Sequence, residues 1–342
     1  MNFPSFAASS IAFAVCTLLA FTSSLSSVAS AASPSTPVSL TPFVVPVTVD
    51  RPEPTFANVA YGSHERQVLD VWKAPSPRPT PFVFHIHGGG WVTGDKAKVA
   101  HLRDYLDAGI SVVSINYRYV SQALAAGEMP PVKWPLSDAA RALQFVRSKA
   151  EEWNLDKGRT IATGGSAGAC SSLWLAFHDE MAQPESADPI SRESTRLEGA
   201  AVDGAQTTLD PAQTIVWTPN SRYGGHAFGF WPEPGNLKTR DTAFAQFLSE
   251  RERVLPWIEA YSPMAHVTRD DPPVYLTYKA PPAMGKDEKD PTHTANFGVK
   301  LEERLKETGV PCELVYPGAP GVSRADIYLY IVDALTKPAK AR

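Results

Sequence analysis

Cysteine is scarce in this chain: three of its 342 residues, Cys16, Cys170 and Cys312. With Cys16 in the N-terminal leader, two thiols remain. They could form one disulfide in an exported protein, but two cysteines make no disulfide framework. Excess charge of one sign is also missing, since 32 Lys and Arg face 36 Asp and Glu for a net charge of −4. Without a basic block there is no electrostatic footprint for nucleic acid. No charged side chain precedes Asp50, and the apolar run Ile11 to Phe21 is too short to span a bilayer. That pattern reads as a signal-peptide core with Ala29-Ser30-Ala31 as its cleavage site, so residues 1–31 are expected to be removed and the mature chain exported, periplasmic or secreted. Val15 before Cys16 is a poor lipidation signal, so no lipid anchor and no stable membrane span are expected after cleavage.

Hydrophobic residues, by contrast, make up 43% of the chain, enough to bury a large core. A Pro/Ser/Thr linker over residues 32–56 leads to one expected domain over 57–337. Two glycine motifs stand out within it. Thr163-Gly164-Gly165-Ser166-Ala167-Gly168 lies between a β-prone run, Ile161 to Thr163, and a helical one, Ala167 to Phe177. A serine in G-x-S-x-G at a strand-to-helix turn is a nucleophile elbow: the tight turn exposes Oγ, and small neighbours let strand and helix approach. Ser166 is thus the candidate nucleophile, with Gly164 and Gly168 supporting the turn. His87-Gly88-Gly89-Gly90-Trp91 follows the apolar strand Phe82 to Ile86. In the α/β-hydrolase arrangement this loop and the residue after the nucleophile donate N–H groups to an oxyanion, so Gly89, Gly90 and Ala167 are the expected donors. His87 and Gly88 support the loop.

Alternation continues along the chain. A hairpin is expected over Asn58–Tyr61 and Gln67–Lys73, a helix over 96–108, a strand over 110–115 and a long helix over 134–153. Strands follow at 198–203, 274–278 and 312–316, with helices at 296–308 and 325–335. Helices interleaved with buried strands mean an α/β fold with a mostly parallel, doubly wound sheet. Between Gln206 and Met264 the periodicity is lost and aromatics accumulate, so an irregular cap insertion over about 206–264 is expected, its aromatics forming a small core of their own or facing substrate.

HGGGW followed by GGSAG, with Gln67 to Trp72, Asn116-Tyr117-Arg118 and Ser137 to Ala142, resembles the hormone-sensitive-lipase-like and bacterial feruloyl or acetyl-xylan esterase-like branches of the α/β-hydrolase superfamily over about residues 56–337. The resemblance implies a serine carboxylic-ester hydrolase acting on short-chain or saccharide esters, without metal or organic cofactor. It places the acid after the strand 274–278, where Asp287, Glu288 and Asp290 are available. Asp290-Pro291 looks most like the acid loop.

The base departs from the pattern. It is expected on the loop after the last strand, but Pro317 to Asp326 contains no histidine, and Arg324 stands at the expected position. A guanidinium stays protonated and cannot accept the serine proton. Arg324 is instead expected to pair with Asp290. The one histidine beyond the acid is His293, which reaches Ser166 only if its loop folds back over the site. His85 reads as core, His226 and His266 as structural or substrate-facing, and His85-x-His87 lacks a third local ligand for zinc. Two readings result: an esterase using Ser166, Asp290 and His293, or a pseudo-hydrolase that binds an ester or saccharide after losing its base at position 324.

Overall fold

The computed structural model describes residues 51–233, 236–324 and 326–337; the expected leader 1–31 and the expected linker as far as residue 50 lie outside the described residues. Alternating apolar residues open the chain with β1 (Phe56–Ala60) and β2 (Val68–Trp72), followed by β3 (Thr80–Ile86), α1 (Leu102–Asp107) and β4 (Ser111–Ile115). Next come α2 (Val120–Ala125), α3 (Lys133–Ser148), α4 (Ala150–Trp153), β5 (Leu155–Gly165), α5 (Ala167–Phe177) and β6 (Gly199–Asp203). The remainder is α6 (Pro211–Trp217), α7 (Leu237–Ser249), α8 (Arg251–Tyr261), β7 (Val274–Thr277), α9 (Asn296–Thr308), β8 (Cys312–Val315) and α10 (Ile327–Thr336).

One eight-stranded sheet results, in the order β1-β2-β4-β3-β5-β6-β7-β8. β2 pairs antiparallel with β1 and β4, and every later pairing is parallel. Period-2 alternation divides the strands between two cores. Phe82, Phe84, Ile86, Ala162, Val202 and Leu276 join α3, α5 and α9. Val83, Val112, Ile161, Ala201 and Tyr275 meet Leu102 and Tyr105 of α1 and Ile331 and Leu335 of α10. With both faces covered, the strands are apolar nearly throughout, and this is the α/β-hydrolase sheet that the sequence predicts.

Three elements differ from expectation. The helix expected over 96–108 shrinks to α1, because Lys96 is drawn toward the sheet: its Nζ meets Asp70 at 2.8 Å and its N–H bonds Asn116 Oδ1 at 2.7 Å. His101 then takes a left-handed φ of 54°, which bars helix propagation ahead of Leu102. The long helix breaks at Lys149, separating α3 from α4. Finally, residues 206–264 hold α6, α7 and α8 where the sequence shows no period. Each of the last two buries only a narrow stripe, Phe244 and Phe247 in α7 and Val254 and Ile258 in α8, and Pro256 lies inside α8. So narrow a stripe leaves little periodic signal. Phe247 lies within 5.5 Å of Phe228 and 5.1 Å of Phe230, but these rings belong to the main core and not to a separate one. Trp217, Tyr223 and Tyr261 meet Phe297, Trp91 and Trp174 outside the insertion, and Trp231 stays exposed.

Candidate active site

The site forms where β3 and β5 end beside each other. Ser166 caps α5 with φ 55° and ψ −124°, a conformation a non-glycine residue adopts only under constraint. The constraint comes from packing. A Cβ at Gly168 would lie 2.1 Å from the Ile86 carbonyl oxygen, so only glycine lets α5 approach β3 this closely. The glycine loop comes equally near, for a Cβ on Gly88 would stand 2.5 Å from the Gly165 carbonyl and 3.5 Å from Ser166 Cβ. Ser166 N–H donates to the Asp203 carbonyl at 2.9 Å, fixing the elbow to β6.

His293 does fold back over the serine. Its Nε2 stands 2.9 Å from Ser166 Oγ and its Nδ1 2.8 Å from Asp290 Oδ2. With Nδ1–H donating to the carboxylate, Nε2 is left to accept the serine proton. Long-range contacts hold the loop in this fold. Gln206, fully buried, donates through Nε2 to the Thr292 carbonyl at 2.7 Å and to the Gly204 carbonyl at 3.1 Å. Asn220 bonds the backbone of Glu288 at 2.8 and 3.1 Å, and Asn296 donates to the Trp217 carbonyl at 2.8 Å. None of these three was singled out from the sequence, where an isolated amide in a loop carries no motif. Of the three acid candidates, Glu288 accepts from Thr294 Oγ1 at 3.0 Å, and Asp290 is the one bonded to His293.

Arg324 does not pair with Asp290. Its guanidinium binds Glu313 of β8 at 3.1 Å and also Asp333 of α10, and its N–H donates to Glu313 Oε1 at 2.8 Å. Carboxylates on the strand before it and the helix after it therefore claim it, and it fastens α10 to the sheet. The imidazole beside Ser166 comes from the loop after β7 instead.

The glycine loop carries left-handed backbone at Gly89 (φ 100°) and Gly90 (φ 60°). Ala167 opens α5, where a first-turn N–H has no intrahelical acceptor. His87 is buried, stacks on Tyr117 at 4.2 Å between centroids, and donates Nδ1–H to the Gly88 carbonyl at 2.8 Å. Arg66 donates to its Nε2 at 3.4 Å. Burial, opposed by the Gly88 bond and reinforced by Arg66, lowers the His87 pKa to about 4, so the ring is a neutral strut for the loop. His85 meets Ser114 Oγ at 2.8 Å, and burial takes it down to about 3. His266 bonds the Ala260 carbonyl at 2.8 Å, a structural role. Cys170 and Cys312 are free thiols. Among the described residues no group of three or more His, Cys, Asp or Glu is placed to hold a metal, and no helix is long and apolar enough to cross a membrane.

Burial raises the Asp290 carboxyl, but the hydrogen bond and charge of His293, with the N–H groups of Thr292 and His293, outweigh it and hold the group below its ordinary value. Its interaction with His293 is therefore complete above the ordinary carboxylate pKa of about 3.9 and is lost only as pH falls through the depressed value. Asp290→Asn is expected to lower kcat by about 10²- to 10⁴-fold; the side chain is 64% exposed, so solvent screening favours the smaller loss. A pH–rate profile of both forms checks this, with the wild-type rate falling toward acid and Asp290→Asn low throughout.

Ser166 and His293 open on a cavity of about 580 Å³ whose other lining residues include Asp203, Lys279, Glu288 and Lys289. A second cavity of about 670 Å³ meets it at Gly165, Asp203 and Lys279.

The chain is similar to several known proteins. It is 36% identical over 137 residues to the probable carboxylic ester hydrolase LipM of Mycobacterium tuberculosis, covering 37% of this chain and 30% of that protein. Esterase LipC of the same organism is 26% identical over 233 residues, 64% of this chain and 49% of its own length. The chain thus spans about a third to a half of these curated relatives. Among solved structures, the acetyl ester-xyloside bifunctional hydrolase of Caldicellulosiruptor lactoaceticus aligns with a TM-score of 0.53 at 21% identity, over 73% of this chain and 77% of its own. Esterase 2 of Thermogutta terrifontis gives 0.54 at 21% identity, over 80% and 88%. Such distant likenesses establish the shared fold. Residues 69–280 match the BD-FAE family, a stretch that holds the glycine loop and the elbow and ends before Asp290. By that match and by its sheet, the chain belongs to the BD-FAE family of the α/β-hydrolase superfamily.

Proposed function

We propose that this protein is a carboxylic-ester hydrolase working through an acyl-enzyme at Ser166. The observation that carries the reading is the continuous series Ser166 Oγ, His293 Nε2, His293 Nδ1, Asp290, bonded at 2.9 and 2.8 Å. His293 takes the hydroxyl proton as Oγ attacks the ester carbonyl, and Asp290 holds the ring's tautomer and the imidazolium that forms. Gly89, Gly90 and Ala167 N–H groups stabilise the oxyanion. His293 then passes its proton to the departing alcohol, and water deacylates Ser166 by the same relay.

The leaving alcohol would lie beside His293, in the 580 Å³ cavity, whose largely apolar surface also carries Lys279, Glu288 and Lys289, groups able to hydrogen-bond the hydroxyls of a hydrophilic alcohol. Sugar esters and other short-chain esters of hydrophilic alcohols are the proposed substrates. The leader 1–31 supports action outside the cytoplasm. Labelling with a fluorophosphonate, which phosphonylates an activated serine, tests the reading. The adduct should map to Ser166, and an acetylated sugar should be hydrolysed with higher kcat/KM than the acetate of a long-chain alcohol. Absence of labelling in the folded protein would contradict the mechanism, and the reverse preference would contradict the substrate class.

A further inference from the structure

Three consecutive residues of the glycine loop are left-handed: Gly89 at φ 100°, Gly90 at 60° and Trp91 at 58°. Glycine tolerates this, but a bulky aromatic does not adopt it unless held. Trp91 is held at both ends. Its fully buried indole donates to Ser171 Oγ at 2.9 Å, and its carbonyl accepts from Val120 N–H at 3.0 Å. The strain can therefore be relieved only by turning over the Gly90–Trp91 peptide, which would return Trp91 to negative φ and reverse the Gly90 carbonyl. Glycine at position 90 offers no steric resistance to that flip. The contact that opposes it comes from the insertion, where His226 Nε2 lies 3.0 Å from the Gly90 oxygen.

The preceding carbonyls are tied down as well. Gly88 oxygen accepts from His87 Nδ1 at 2.8 Å and from the Tyr117 hydroxyl at 3.3 Å, and Gly89 oxygen accepts from the N–H groups of Val92 and Thr93 at 3.0 and 3.1 Å. In a planar trans peptide the N–H lies opposite the C=O. Fixing the carbonyls of residues 88, 89 and 90 thus fixes the N–H groups of Gly89, Gly90 and Trp91 on the other side of the loop.

We propose that His226 is a positioning residue for the oxyanion site, holding the Gly90–Trp91 peptide so that the Gly90 carbonyl oxygen does not turn toward the developing charge that the Gly89 and Gly90 N–H groups border. The proposal rests on the serine-esterase reading of Ser166. Burial, countered by the Gly90 bond, lowers the His226 pKa to about 4, so the neutral ring keeps its proton for the donation. The ring also packs within 6.0 Å of Trp91 and 5.1 Å of Tyr223, so a purely packing role is the rival account.

Two substitutions separate these accounts. His226→Phe keeps an aromatic ring and removes the donor, whereas His226→Gln keeps an N–H donor and removes the ring. The proposal expects His226→Phe to lose at least tenfold in kcat on p-nitrophenyl acetate with KM within about twofold, and to lose the same factor in affinity for a boronic acid that mimics the tetrahedral adduct. His226→Gln should retain most of both. If His226→Phe matches the wild type while His226→Gln is impaired, or if neither changes kcat and boronate affinity, the positioning role is overturned. Ser166→Ala is measured alongside. If it abolishes turnover while His226→Phe leaves it intact, only the positioning role fails; if Ser166→Ala leaves turnover intact, the serine reading and this one fall together.

Discussion

Ser166→Ala should lower hydrolysis of p-nitrophenyl acetate by about 10⁴- to 10⁶-fold, with no loss of folding. The size follows from the proposed acyl-enzyme route: without Oγ no covalent intermediate forms, and only binding and the oxyanion donors remain to assist water. Stability should hold because the half-buried hydroxyl is replaced by a hydrogen and the contacts that shape the elbow are backbone ones, including the Ser166 N–H to the Asp203 carbonyl at 2.9 Å. Thermal unfolding of the variant beside its rate checks both halves. A variant that keeps a tenth of wild-type turnover would remove Ser166 from the chemistry.

His293→Ala should cost nearly as much, and the double variant Ser166→Ala/His293→Ala no more than either single one. In the proposed mechanism the two groups act as a unit: an alkoxide is not available from serine without a base, and a base has no task without the hydroxyl. Two independent contributions would multiply instead. The steady-state rates of the three variants decide between these outcomes, and a double variant a further 10³-fold below the singles would show that His293 acts elsewhere.

Much of this was legible in the sequence because the chemistry needs particular residues at fixed local spacing. An elbow must have a small residue where α5 meets β3, and Gly168, against the Ile86 carbonyl, shows why. α5 and α9 begin and end where the sequence places them, since the elbow starts one and Gly309 in left-handed conformation stops the other. The base was not fixed by local spacing. Whether the loop around His293 reaches Ser166 depends on Gln206, Asn220 and Asn296, which bond partners 68 to 86 residues away in sequence and belong to no motif. The same non-local competition shortened α1, where Asp70 and Asn116 captured Lys96. The helices of the insertion escaped notice because their buried stripes are narrow.

The imidazole beside Ser166 comes from the loop after β7 and not from the loop after β8. Comparing kcat/KM of His293→Ala with that of Arg324→His and Arg324→Ala on one short-chain p-nitrophenyl ester tests this source of the base most directly. Arg324 binds Glu313 and Asp333 and not the acid, so its substitutions should lower the melting temperature and leave kcat/KM within a few-fold of wild type, while His293→Ala falls by 10⁴-fold or more. Arg324→His gaining activity, with His293→Ala equal to wild type, would contradict the account and return the base to the loop after β8.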